Sequence, residues 1–420
     1  REAVPTVNTD WWNYGGITRS VSIINVPKTH IYDYKIQLDN NDPKKITGWI
    51  KLKNSNLEDE VSIKIPELKI DETYYADHRG IVEFETKANP VYWSTKNPKL
   101  YDVILSSNNN PINDQIGFRT IETEGTKILL NGEEIFLKGI SIHEEAPFKT
   151  GRVTSKEEAQ ILLQWAIELG SNFVRLAHYP HNEYMVREAE KMGLLIWSEI
   201  PVYWTVLFEN ADTYTNAERQ LKEMIARDKN RAAVVLWSIA NETPEGEARL
   251  NFLKKLASKA REMDNTRLIT AALDTQTRRK GVNHIEDLFG EFVDVIGINS
   301  YCGWYGGTPT SCSNIKWESE YNKPVIMSEF GAGALQGNHG NEIDRWTEEY
   351  QDAVYINNIE MLKNIEFLAG TSPWILMDFR SPRRHLRKIQ ADFNRKGLIS
   401  EQGVRKKAFY TLRNYYESID

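Results

Sequence analysis

Between residues 120 and 380 the chain repeats one pattern, a short apolar β-rich run followed by a longer amphipathic stretch. The runs that qualify as strands are Phe136–His143, Asn172–His178, Leu194–Glu199, Val234–Glu242, Leu268–Leu273, Val293–Tyr301, Pro324–Phe330 and Ser372–Phe379. Helical patterns lie between them, such as Ser155–Leu169 with Thr154 as its N-cap, and Ala217–Asp228. Eight βα units in one stretch predict a parallel sheet closed into a TIM barrel. A doubly wound open sheet is the rival, but no glycine-rich phosphate loop follows the first strand. The run ends favour the barrel: His143, His178, Glu199, Asn241 with Glu242, Asp274, Asn299 with Tyr301, Glu329 and Asp378 gather where barrels carry chemistry.

The preceding chain has a different grammar. From His30 to about Thr120, short alternating runs such as Ile46-Thr-Gly-Trp-Ile-Lys-Leu and Val61-Ser-Ile-Lys-Ile are broken by Asn, Asp, Pro and Gly. That spacing predicts a small β-sandwich. Residues 1–27, with Trp11, Trp12, Gly15-Gly16 and an alternating run from Val21 to Val26, predict a turn feeding one strand. The expected division is therefore 1–27, a sandwich over 28–121 and a barrel over 122–420.

Composition narrows the function classes. A net charge of −7 argues against general nucleic-acid affinity, and the basic clusters at 380–388 and 405–407 are local. No apolar run is long enough to span a bilayer. Twelve Trp and 19 Tyr suit stacking on sugar faces, and suit ordinary cores equally. Cys302 and Cys312, the two cysteines, give no disulfide framework, and a single bridge between them stays open. The chain opens on Arg1, and its first residues read as the end of a domain. A fragment is expected, which leaves targeting unreadable.

Two run ends carry the strongest signal. Glu242 closes Val234-Val-Leu-Trp-Ser-Ile-Ala-Asn-Glu at the fourth strand, and Glu329 sits in Pro324-Val-Ile-Met-Ser-Glu-Phe-Gly at the end of the seventh. Both are charged residues after apolar runs read as buried strands, where an unpaired charge is costly. Strands four and seven face each other across an eight-stranded barrel, so both carboxylates can enter one cleft. Glycoside cleavage needs such a pair, about 5–5.5 Å apart when configuration is retained. Asn241 suits a hydrogen bond to the sugar 2-hydroxyl. The plain alternative is two rim glutamates bonded to neighbouring Arg or Tyr.

The motifs Asn13-Tyr-Gly-Gly-Ile-Thr-Arg, Gly139-Ile-Ser-Ile-His-Glu, Arg175-Leu-Ala-His-Tyr-Pro, Trp237-Ser-Ile-Ala-Asn-Glu and Met327-Ser-Glu-Phe-Gly follow one another in order. Through them the chain resembles glycoside hydrolase family 2, and within it the β-glucuronidases, from about Asn8 to Tyr416. The resemblance implies a sugar-binding jelly roll, an immunoglobulin-like sandwich and a barrel, with residues 1–27 as the last piece of the jelly roll. It implies Glu242 as acid/base, Glu329 as nucleophile, no cofactor and a homo-oligomer. Asn394-Arg395-Lys396 matches an Asn-x-Lys motif that recognises a uronate carboxylate, and Tyr301, Trp304 and Tyr305 match a pocket-lining loop after strand six.

Other residues stay open between two readings. His143 and His178 bond sugar hydroxyls or organise the rim from within. Trp374 forms a pocket floor or packs in the core. The basic stretch Arg380-Ser-Pro-Arg-Arg-His-Leu-Arg-Lys contacts an anionic substrate or is a solvated, paired loop. The loop from Tyr203 to Thr215, with Val206-Leu207-Phe208, is expected to shape access to the site. No ligand spacing supports a metal, and no Gly-x-Ser-x-Gly elbow supports a nucleophilic serine.

The expected activity is exo-release of a terminal β-glucuronate from a glycoside or oligosaccharide by double displacement. A β-galactosidase or β-galacturonidase is the alternative. A silent carbohydrate binder and a polyanion-binding scaffold are rivals of other classes.

Overall fold

The structure, a computed structural model, describes residues 2–273, 277–279 and 281–419. Arg1 and Asp274, the polar residue after the fifth run, lie outside the described residues.

Seven strands build the sandwich: β1 (His30–Leu38), β2 (Lys45–Lys53), β3 (Glu60–Ile65), β4 (Ile70–Tyr75), β5 (Ile81–Lys87), β6 (Tyr101–Ser107) and β7 (Asn110–Ile116). One antiparallel sheet runs β1-β2-β5 and the other β4-β3-β6-β7. In β3 every second residue, Val61, Ile63 and Ile65, turns inward, the period of two that alternation in the sequence demands. They meet Ile36, Ile50, Val82 and Val103 in a closed core, each contributing about 1.5–3 kcal/mol by leaving water.

Eight parallel strands close the barrel: Leu137–Ile142, Phe173–Leu176, Leu195–Glu199, Val234–Asn241, Leu268–Leu273, Val295–Asn299, Val325–Glu329 and Leu368–Thr371. Seven coincide with expected runs. The eighth lies upstream of the expected Ser372–Phe379, because Pro373 has no N–H to give the ladder. Beyond it the chain crosses the barrel mouth, where the Leu376 N–H donates to Ser141 O (2.9 Å) and Phe379–Arg380 pairs with Phe393–Asn394. Glu199, Asn241, Asn299 and Glu329 are the last residues of their strands. His143, His178, Glu242 and Tyr301 stand one or two residues beyond theirs.

The helices differ from expectation at their starts. In α1 (Lys156–Glu168) Ser155, not Thr154, caps the first turn by accepting from Glu158 N. Five further helices follow among the described residues: α2 (Glu183–Met192), α3 (Ala211–Asp228), α4 (Glu247–Met263), α5 (Glu348–Leu362) and α6 (Lys407–Glu417). α3 begins earlier than Ala217, because Asn210 Oδ1 accepts from Thr213 N (2.9 Å). Its first turn is polar, so apolar periodicity does not reveal it.

The sandwich docks on the barrel through buried polar bonds. Arg119 donates to the backbone oxygens of Ala232 (3.1 Å), Thr266 (2.9 Å) and Val234 (2.7 Å). Residues 2–29 contain no strand. The run from Val21 to Val26 was expected to be one, but Ile23 is 99% exposed and no neighbouring backbone pairs with the segment. Upstream, Trp11 is buried at the barrel mouth against Tyr203, His178 and Trp374.

Candidate functional site

The barrel mouth opens into a cleft of about 440 Å³ lined by Asp10, His178, Tyr203, Trp204, Asn241, Glu242, Tyr301, Tyr305, Glu329, Trp374, Arg383, Arg384 and Lys396. Glu242 and Glu329 thus share one space, and their surroundings differ. Glu329 is buried. Its Oε1 accepts from Arg175 Nη1 (2.8 Å) and its Oε2 from the Tyr301 hydroxyl (2.5 Å). Burial holds its carboxyl above the usual range, and Arg175 and Tyr301 offset that only in part. Glu242 is half-buried, with φ of 48° as it leaves its strand. Its Oε2 accepts from Trp204 Nε1 (2.8 Å) and its Oε1 from Asn299 Nδ2 (2.9 Å).

One buried guanidinium ties this rim together. Arg175, fully buried in the second barrel strand, also donates to Glu199 Oε1 (3.1 Å), Glu199 Oε2 (3.2 Å) and Asn241 Oδ1 (2.7 Å). Burial alone would raise Glu199, but Arg175 and the His178 hydrogen bond override it and hold the carboxyl at about 2. With Oδ1 taken by Arg175, the Asn241 Nδ2 is buried without a partner. A buried amide donor without an acceptor costs about 1–3 kcal/mol.

The expected residues divide by position. His178, Asn241, Tyr301, Tyr305, Trp374 and Lys396 line the cleft together with the two glutamates. His178 stacks on Trp374 at 4.8 Å and sets Nδ1 2.7 Å from Glu199. Trp374 is both packed and cleft-facing. His143 lies behind the wall, with its ring 5.1 Å from Trp374 and Nδ1 3.1 Å from the Tyr179 hydroxyl. Trp304 is buried against Trp346 and Tyr350, supporting the loop that carries Tyr305. A disulfide joins Cys302 and Cys312 across that loop.

Asn394 is also set back from the cleft. Its Nδ2 donates to Asp10 Oδ2 (3.0 Å) and its Oδ1 accepts from Lys396 N (3.1 Å), so it shapes the turn that aims Lys396. Gly397 completes that turn, since a Cβ there would come within 2.1 Å of Asp378 N. Lys396 Nζ reaches the cleft and donates to the Tyr305 hydroxyl (2.8 Å). Asp378, expected at a strand end, is buried on Lys406 (2.8 Å) and Arg395 (3.2 Å) instead.

Sequence reasoning left several cleft residues without a role. Arg175 carried a signal, as a cation inside Phe173-Val-Arg-Leu needs buried carboxylates. Asp10 carried none. It accepts from Ser381 Oγ (2.6 Å) and from Arg384 Nε (2.9 Å), and so pins the basic loop over the cleft. In the loop after the third strand, Tyr203 and Trp204 face the cleft. Val206 and Phe208 pack into the barrel core, Phe208 against Phe252 at 5.4 Å, so the apolar triplet does not line the site.

The family description "Glycosyl hydrolases family 2, TIM barrel domain" matches residues 121–420, and "Glycosyl hydrolases family 2" matches residues 29–119. The chain is 29% identical over 434 residues to a β-glucuronidase of Paenibacillus borealis, covering 96% of this chain and 70% of that protein. It is 28% identical over 447 residues to a β-glucuronidase of Rattus norvegicus, covering 98% and 65%. It spans about two thirds of the length of such relatives. Among solved structures, a β-galacturonidase of Eisenbergiella tayi bound to galacturonate superposes with a TM-score of 0.87 at 24% identity, covering 100% of this chain and 78% of that one. A β-D-glucuronidase of Dictyoglomus thermophilum gives 0.82 at 25%, covering 98% and 72%.

Proposed function

Because the chain belongs to family 2 of the glycosyl hydrolases, we propose that it is a retaining exo-glycosidase releasing terminal β-linked glucuronic acid. The observation that carries this reading is the unequal pair in one cleft. Glu329 is buried and braced by a cation and a phenol, whereas Glu242 is half-buried and accepts from the Trp204 indole and the Asn299 amide. A nucleophile must be charged before attack, and Arg175 with Tyr301 favours that form. An acid/base must both lose and regain a proton, which suits the more open Glu242.

In the proposed reaction a Glu329 oxygen attacks the anomeric carbon. The bond to the leaving oxygen breaks as Glu242 protonates that oxygen. Glu242, now a carboxylate, takes a proton from water whose oxygen attacks the same carbon and displaces Glu329. Two inversions restore the β configuration. Asn241 Nδ2 is placed to hydrogen-bond the sugar 2-hydroxyl, a contact of the kind that strengthens in the transition state. The Lys396 ammonium takes the C6 carboxylate, with Tyr305 beside it.

Lys396 suits a C6 carboxylate in either C4 configuration, so the test pairs aryl β-glucuronide with β-galacturonide and β-galactoside. A uronide preference is expected, with turnover abolished in Glu329→Ala. Undiminished turnover in that variant would overturn the catalytic assignment, and a preference for galactoside would overturn the uronate one.

A further inference from the structure

Three cations from two loops enter the cleft; Asp10 neutralises Arg384, and the uronate reading assigns Lys396 to the C6 carboxylate. Lys396 is bonded to the Tyr305 hydroxyl (2.8 Å), and Arg384 to the Asp10 carboxylate (Nε to Oδ1 2.9 Å). Arg383 is different. Among the described residues no carboxylate pairs with it. Its guanidinium lies over the Trp204 ring at 5.1 Å, and Nη1 donates to Asn8 Oδ1. These two contacts place the group without neutralising it. A guanidinium stacked on a ring keeps N–H donors in its plane free for an oxyanion.

Its position indicates which part of a substrate it meets. Trp204 Nε1 donates to Glu242 Oε2 (2.8 Å), so Arg383 is linked through one indole to the carboxyl that protonates the departing oxygen. Lys396 meets the charge of the other part of the substrate, the sugar being released, beside Tyr301 and Tyr305. The basic loop is therefore not only solvated surface. Its Arg384 pins the loop to Asp10, and its Arg383 lines the cleft beside Trp204, on the Glu242 side.

We propose that Arg383, seated on Trp204, is a specificity-determining residue that binds an anionic group on the leaving-group side, so that preferred substrates are acidic oligosaccharides carrying a carboxylate or sulfate next to the scissile bond. The inference rests on the glycosidase reading above. Its ligand is an oxyanion, supplied either by a second uronic acid or by a sulfate ester.

The test uses three β-glucuronyl disaccharides with the same second sugar: unmodified, 6-sulfated, and oxidised to the 6-carboxylate. The wild-type chain is expected to show kcat/KM about tenfold higher for at least one acidic disaccharide than for the neutral one, the worth of one exposed charge-assisted bond. That ratio should fall towards one in Arg383→Ala, recover partly in Arg383→Lys, and shrink as salt is raised. Preference for the sulfated or for the carboxylated sugar identifies the source of the anion. Hydrolysis of all three with a ratio near one, or a ratio unchanged in Arg383→Ala, would overturn this inference and leave the uronidase reading standing. No hydrolysis of any of them, nor of aryl β-glucuronide, would overturn the uronidase reading itself.

Discussion

Arg175 lies 2.8 Å from the Glu329 carboxylate while binding both oxygens of Glu199, so one fully buried cation balances two buried anions. Replacing it by Met leaves two carboxylates without their counter-charge. Arg175→Met is expected to cost about 3–5 kcal/mol of stability, read as a lowered urea midpoint, and to abolish turnover. A variant as stable and active as the parent would show that the bridge is dispensable.

Tyr301 donates to Glu329 at 2.5 Å and favours its charged form. Burial already sets this carboxyl above the ordinary range, so activity should fall on the acid side above the pH at which an exposed carboxylate titrates. Removing the hydroxyl favours the protonated form further. Tyr301→Phe should therefore move the acid limb of the kcat/KM profile to higher pH and lower kcat about 10- to 100-fold. An unshifted acid limb would separate Tyr301 from the Glu329 charge.

The proposed uronate preference rests on Lys396. Lys396→Ala is expected to lower kcat/KM for aryl β-glucuronide about 10- to 100-fold, mostly through KM, with a much smaller effect on a β-galactoside. Equal losses on both sugars would mean that Lys396 supports the loop and does not read the carboxylate.

Glu145 lies beneath the mouth, accepting from the Tyr14 hydroxyl (2.8 Å). Burial pushes its carboxyl up to about 7 from an ordinary 4.5. The folded chain thus keeps a proton that the unfolded chain releases. Its contribution to stability is whole below the unfolded value and is lost as pH rises through about 7. Glu145→Gln should remove up to about 3 kcal/mol of the stability that the parent loses between pH 5 and 8. Parallel pH profiles in urea unfolding would contradict this.

Alternation every two residues and strand-length apolar runs are local properties, and they made the sandwich and seven of the eight barrel strands legible from the sequence. They failed at Leu368–Thr371, where a four-residue strand precedes the more conspicuous run after Pro373. They failed again at Val21–Val26, because a strand exists only where another backbone accepts its hydrogen bonds. The first turn of α3 was hidden for a different reason, since its start is set by the Asn210 cap and not by apolar spacing.

Glu242, Glu329 and Asn241 stood out in the sequence because polar groups after a buried strand are conspicuous wherever they occur. The sequence by itself determined that barrel and the rim on which those groups stand. Tertiary structure alone decided which charges meet. Closure brings Arg175 to Glu329 across 154 residues, and folding of the opening segment brings Asp10 to Asn394 across 384. Asp10 thereby engages Asn394 and Arg384, which leaves Lys396 and Arg383 to face the cleft. Electrostatic partnership depends on distance in space, and spacing along the chain carries no record of it.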